Sequence, residues 1–138
     1  ARPMEQYMKH NFSFLGIKAE PRRAIMKKCC NQHNQELSTN FRSICETLFT
    51  KKEREYHLIA IDIFMKEIKS NYLTDDIHLI EKMLVTNSWW DSVDVIAKYL
   101  VGGYLNKYPN YLIYLSNLMY FVQILEKVHS FQFFQLNL

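Results

Sequence analysis

The chain has 138 residues, 49% of them hydrophobic, which is enough for one domain with its own core. Three glycines and three prolines are too few for the tight turns of a small all-β fold, and three cysteines, two of them adjacent, do not make a disulfide framework and fit a reduced, cytoplasmic protein. A net charge of +3 admits an anionic partner without requiring one. No basic stretch followed by an apolar core and a small-residue cleavage site opens the chain, so no secretory signal is expected, and a start at Ala1 almost inside a helix reads as a trimmed N-terminus.

Apolar residues recur at helical spacing throughout, which makes the class all-α. Pro3 to Phe14 reads as a helix with Met4, Tyr7, Met8 and Phe12 on one side, ended by Leu15-Gly16-Ile17. Pro21 stands where an N1 proline sits, and Arg22 to about His33 forms a second helix with Ile25, Met26 and Cys29 inward and Arg22, Arg23, Lys27 and Lys28 exposed. Asn40 to Phe49, capped by Ser38 or Thr39, is the third, and Lys52 to Lys69, with Tyr56, Ile59, Ala60, Ile63 and Phe64 inward, is the fourth. Asp75 or Asp76 caps a fifth that carries Ile77, Leu79, Ile80, Met83 and Leu84.

The sixth helix opens at Asn87-Ser88-Trp89-Trp90-Asp91-Ser92-Val93-Asp94 and is expected from Trp89 to about Val101. Ser88 has a preferred N-cap side chain, Asp91 can return the bond at the positive helix end, and Gly102-Gly103 offers a left-handed stop. Trp89, Val93, Ile96 and Leu100 recur at spacings of four, three and four, the buried stripe of an amphipathic helix. Trp90, turned about 100° from Trp89, lines up with Asp94 one turn on, so an indole and a carboxylate share a face beside that stripe. That pair is the candidate site.

Tyr111 onward supplies a seventh helix and an eighth. The stretch Tyr111 to Leu125 has no charge, but at 15 residues, with Ser116, Asn117 and Gln123 inside it, it falls short of a bilayer span, so no membrane segment is expected. The expected pair starts at Ser38, Thr74 and Pro109 lie 36 and 35 residues apart, the period of an α-solenoid of HEAT-like antiparallel helix pairs. The whole of 1–138 reads as one such domain, a fragment of a longer solenoid.

The basic residues, among them Arg22, Arg23, Lys27 and Lys28, are spread over several helices. On a solenoid they can converge on one concave face; equally, they are the solvated surface of amphipathic helices. Cys29, Cys30 and His33 do not make a metal site, because adjacent helical cysteines diverge and no second ligand pair follows. No histidine stands in a nucleophile motif, and no glycine-rich phosphate loop occurs.

Met4-Glu5-Gln6-Tyr7-Met8-Lys9, Phe14-Leu15-Gly16-Ile17-Lys18 with Pro21-Arg22-Arg23, Glu53-Arg54-Glu55-Tyr56 before Ala60-Ile61-Asp62, and Ser88-Trp89-Trp90-Asp91-Ser92-Val93-Asp94 resemble, in order and spacing, the AlkD family of DNA alkylation-repair glycosylases. The resemblance covers roughly Pro3 to Pro109. It implies a HEAT-like solenoid holding duplex DNA on a basic face and excising cationic N3- or N7-alkylated purines without a metal or organic cofactor. By motif position it makes Asp94 the catalytic aspartate and Trp90 the tryptophan against the lesion-bearing nucleotide.

Beyond Pro109 the resemblance fades: Glu126 and His129 stand where the family has a tryptophan and an arginine, and only Phe134-Gln135-Leu136 looks familiar. Truncation, a frame disturbance or a divergent terminus would each look like this. A solenoid cut mid-array would leave Phe131 to Leu138 prone to self-association. The rival to a glycosylase is a non-catalytic α-solenoid that binds DNA or protein.

Overall fold

A computed structural model describes the backbone of residues 2–8 and 10–136 and the side chains of 2–8 and 10–124. The order of elements is α1 (Arg2–Tyr7), α2 (Ala19–Gln32), α3 (Asn34–Phe49), α4 (Arg54–Ile68), α5 (Asp76–Val85), α6 (Trp90–Val95), a π-helical segment (Ile96–Val101), α7 (Gly102–Lys107), a 3-10 turn (Pro109–Tyr111) and α8 (Leu112–Leu136). The fold is all-α. Among the described residues the sole extended pairing is an isolated parallel bridge between Ser13 and Glu53. The chain divides into two compact units, residues 1–67 and 68–138.

In the first unit α1 is shorter than its apolar spacing indicated, because the chain turns at His10, which takes φ 58° while its N–H donates to Glu5 O at 2.7 Å. Residues beyond it serve a different purpose. Glu55, 1% exposed at the start of α4, accepts hydrogen bonds from three successive amides: Leu15 (3.0 Å, Oε2), Gly16 (2.9 Å, Oε1) and Ile17 (3.1 Å, Oε1). Converging amides of this kind form a concavity for an anion, here filled by the chain's own carboxylate. Gly16 takes φ 89°, a left-handed conformation that a side chain would strain.

Helix α2 starts three residues before the expected Arg22, which puts Pro21 at its third position, still within the turn whose amides need no helical partner. Its phase is also shifted by one. Arg22 and Cys30 are buried and Met26 half-buried, while Ile25 is 52% exposed and Cys29 is open to solvent. Helix α3 begins at Asn34 instead of Asn40, and Ser38 and Thr39 do not cap it: both hydroxyls donate back to Gln35 O at 3.0 Å inside the helix. Leu37, Phe41, Cys45 and Phe49, each four residues apart, form its buried edge. That edge meets α4 through an edge-on Phe41–Phe64 ring contact, centroids 5.5 Å apart, and a bond from Cys45 Sγ to Ala60 O at 3.2 Å. Helix α4 ends where Lys69 and Ser70 turn left-handed.

Imidazole chemistry pins the entry to α4. His57, 1% exposed, reaches Lys51 O with Nε2 at 2.7 Å and lies 3.5 Å from Arg54 Nη1 with Nδ1. A carbonyl only accepts and a guanidinium only donates, so Nε2 carries the proton and Nδ1 the lone pair. Arg54 in turn lies 4.3 Å over the Phe12 ring.

In the second unit, Asp76 rather than Asp75 makes the side-chain bond at the head of α5, accepting from Leu73 N–H at 2.8 Å. Ile77, Ile80, Met83 and Leu84 are buried, and α5 packs against the π-helical segment and α8. From Leu112 the chain forms one 25-residue helix where two were expected. No helix of the described residues is long and apolar enough to cross a membrane. Glu126, His129 and the segment Phe131–Leu138, read as prone to self-association, lie outside the described side chains.

Candidate functional site

The approach to the site is a sharp change of direction. After α5, Thr86 is extended, Asn87 takes φ 55°, a conformation asparagine tolerates better than most residues, and Trp89 is extended at φ −153°. The N-cap is therefore Trp89 and not Ser88, and the Trp89 side chain makes no capping bond. The Trp89 carbonyl instead gathers three donors: Ser92 N–H at 3.0 Å, Val93 N–H at 2.9 Å and Ser92 Oγ at 3.0 Å. Asp91 sits in the first turn, where a negative charge meets the positive helix end.

This start sets the two tryptophans apart. Trp89 is 8% exposed and continues into Val93, Ile96 and Leu100, all buried, as their spacing implied. Trp90 is 50% exposed, and Asp94, one turn further along α6, is exposed as well. An indole face and a carboxylate thus stand near each other at the surface of a helix whose other side is fixed in the core.

Gly102-Gly103 does not stop the helix. Gly102 has helical dihedrals, φ −58° and ψ −46°, and the chain runs on to Lys107. The need for glycine lies at position 103, where a Cβ would fall 2.9 Å from Tyr72 Cε2 and Cζ and closer still to its hydroxyl. Tyr72, 4% exposed, donates from that hydroxyl to Tyr99 O at 3.3 Å. Tyr104 is fully buried, which pushes its phenol up to about 12, and its hydroxyl donates to Thr74 O at 2.8 Å.

Among the four basic residues expected on one exposed face of α2, Arg23, Lys27 and Lys28 are exposed. Arg22 is not: it is 8% exposed, with Nη2 3.9 Å from Asp62 Oδ2 on α4. Burial raises the Asp62 carboxyl above its ordinary value, and the Arg22 and Arg23 guanidinium groups pull it back. Arg23 and Lys27 stand one turn apart with Lys28 beside them. Helix α2 and the Trp90–Asp94 pair belong to different units. Cys29, Cys30 and Cys45 are free thiols, and among the described residues no group of three or more His, Cys, Asp or Glu could hold a metal.

Two residues with positional roles, Glu55 and Tyr72, were not singled out by charge or periodicity. Glu55 did stand inside a motif, and a glycine paired with it at Gly16 was the available signal. Tyr72 carried none.

The model of a family described as DNA alkylation repair enzyme matches residues 1–123. The chain belongs to that family. Membership in the DNA alkylation repair enzyme family makes DNA alkylation repair its role and DNA its partner, and it places the chain among enzymes. The match runs past Pro109 into α8 and takes in both Trp90–Asp94 and the basic residues of α2. No curated protein matches the chain.

Proposed function

We propose that the chain is a DNA N-glycosylase that hydrolyses the bond between deoxyribose and a cationic N3- or N7-alkylated purine in duplex DNA, with Asp94 and Trp90 at the reacting nucleotide. The observation that carries this reading is the contrast between the tryptophans: Trp89 is buried while Trp90 is half in solvent one turn from an exposed carboxylate. Large aromatic side chains bury readily, and one left in water beside an acid suits a cationic, planar ligand.

The chemistry asks for little more. An alkylated purine is already positively charged and leaves without strong acid assistance. The remaining barrier is formation of a sugar with oxocarbenium character and delivery of a water. A carboxylate such as Asp94 supplies the opposite charge where that cation develops and can orient the attacking water. The Trp90 indole supplies an aromatic face to the base or sugar, worth on the order of 0.5 to 2 kcal/mol. Arg23, Lys27 and Lys28 serve as phosphate contacts that carry no base identity, whereas the buried Arg22 holds Asp62. The helices are read as HEAT-like pairs.

Asp94→Asn removes the charge and keeps the shape. On duplex DNA containing N7-methylguanine, free-base release by this variant should fall at least about 100-fold while duplex affinity stays within about twofold. Equal release by wild type and variant would overturn the assignment, and binding without release in both would favour a non-catalytic DNA-binding module.

A further inference from the structure

The helix that carries Trp90 and Asp94 changes character just after them. Val95 closes α6, and Ile96–Val101 is π-helical, with Gly102 N–H reaching back five residues to Ala97 O. Ile96 and Val101, five apart, are both buried, a pairing that a uniform α-helix would turn well away from a common line. A π turn holds one residue more than an α turn, so it sets the rotation of all that precedes it against all that follows, by about 100° for one residue.

Both sides of this segment are anchored. Upstream, Trp89 and Val93 are in the core. Downstream, Tyr104 donates to Thr74 O at 2.8 Å, while Lys107 Nζ at 2.6 Å and the Tyr108 hydroxyl at 3.2 Å both donate to Tyr72 O. Between the anchors, Tyr72 meets the π segment itself through its bond to Tyr99 O, and its ring fills the space left by Gly103. π turns are rare, occur mostly as single-turn bulges inside α-helices and are frequent at functional sites.

We infer that Tyr72 and Gly103 are positioning residues for the Trp90–Asp94 pair: they hold the π segment, and the π segment fixes the direction in which the indole and the carboxylate point. This inference rests on Asp94 being the catalytic carboxylate. Its consequence is a loss of rate without a loss of DNA binding, since a displacement of about 1 Å at a reacting group can cost about 100-fold.

The test uses the full chain and duplex DNA carrying N7-methylguanine, with single-turnover release and duplex Kd measured for Tyr72→Phe, Gly103→Ala, Gly102→Ala and Asp94→Asn, and folding followed by circular dichroism. Tyr72→Phe removes only the hydroxyl and should slow release by about 10-fold; Gly103→Ala displaces the ring and should slow it by about 100-fold, both with Kd within about twofold. Gly102→Ala is the control, since its Cβ would meet only Ala97 O at 3.9 Å, and it should release at the wild-type rate. Wild-type release by folded Tyr72→Phe and Gly103→Ala, or a rate loss no greater than the loss of affinity, would overturn the inference; should Gly103→Ala not fold, Tyr72→Phe decides alone. Full release by Asp94→Asn would instead remove the reading of the site itself.

Discussion

At Trp89 the backbone is extended and the indole is 8% exposed; at Trp90 the helix has begun and half the indole is in solvent. One residue of helical phase therefore separates a side chain that stabilises the second unit from one half exposed at the surface. Trp89→Ala should cost roughly 3 to 5 kcal/mol through lost burial and a cavity. Trp90→Ala should leave the melting temperature nearly unchanged and slow excision, because a surface indole gives up contact with the ligand more than with the core. Thermal melts with single-turnover rates on both variants check this, and the reverse pattern would shift the site by one residue. Glu55 poses a similar question in the first unit. Glu55→Gln keeps one carbonyl oxygen and loses the charge, so it should destabilise by about 1.5 to 3 kcal/mol. Amide exchange at Leu15, Gly16 and Ile17 should accelerate, since these are the three N–H groups the carboxylate holds. Unchanged protection there would mean that the loop is fixed by something else.

Among the elements, stripes of apolar residues at helical spacing were legible in the sequence: Ile77, Ile80, Met83 and Leu84 of α5, and the Trp89, Val93, Ile96 and Leu100 stripe. Helix α2 was read one residue out of phase because its buried edge begins with Arg22, which no hydrophobic pattern marks as inward. Its partner Asp62 lies 40 residues away in sequence, a pairing that only the fold provides. Glycines at 102 and 103 look like a helix stop by local rules, yet Tyr72, 31 residues earlier, needs the space at 103. Of the candidate site, the Trp90–Asp94 face was legible, since it follows from helical phase alone; the π segment behind it was not. The corrected phase of α2 has a chemical consequence. Cys29 is exposed, whereas Cys30 is 4% exposed and Cys45 is fully buried, donating to Ala60 O, with its thiol pushed up to about 12 by burial. A disulfide reagent should therefore label one of the three thiols quickly in the native protein and the other two only on unfolding. Two fast thiols would contradict the phase. The unfolded Cys45 thiol ionises above its ordinary 9.0 and the folded one does not until about 12, so its contribution to stability is lost as pH rises from 9.0 toward 12.

For the molecule as a whole, a net charge of +3 from 17 basic and 14 acidic residues is too small to decide a nucleic-acid partner, so what matters is which cations are free to meet phosphate. Sequence offered four on α2; the fold withdraws Arg22 into contact with Asp62 and leaves Arg23, Lys27 and Lys28 outside. Each phosphate neutralised on B-form DNA releases counterions and adds about −0.9 to the slope of log affinity against log salt. Replacing Lys27 or Lys28 with Gln should therefore make the slope shallower by about 0.9 if that residue meets a phosphate, weakening all sequences alike and leaving stability within about 0.5 kcal/mol. Arg22→Gln should behave in the opposite way. It strands the Asp62 carboxylate without the cation beside it, so the melting temperature should fall, on the order of 5 °C, while the salt slope stays put. Titrating a fluorescent duplex at four or five salt concentrations, alongside melts of the same variants, separates the two roles. A slope that drops for Arg22→Gln and not for the lysine variants would mean that Arg22 leaves Asp62 to reach the DNA, and a slope near zero for the wild type would remove phosphate contact from this face of α2 altogether.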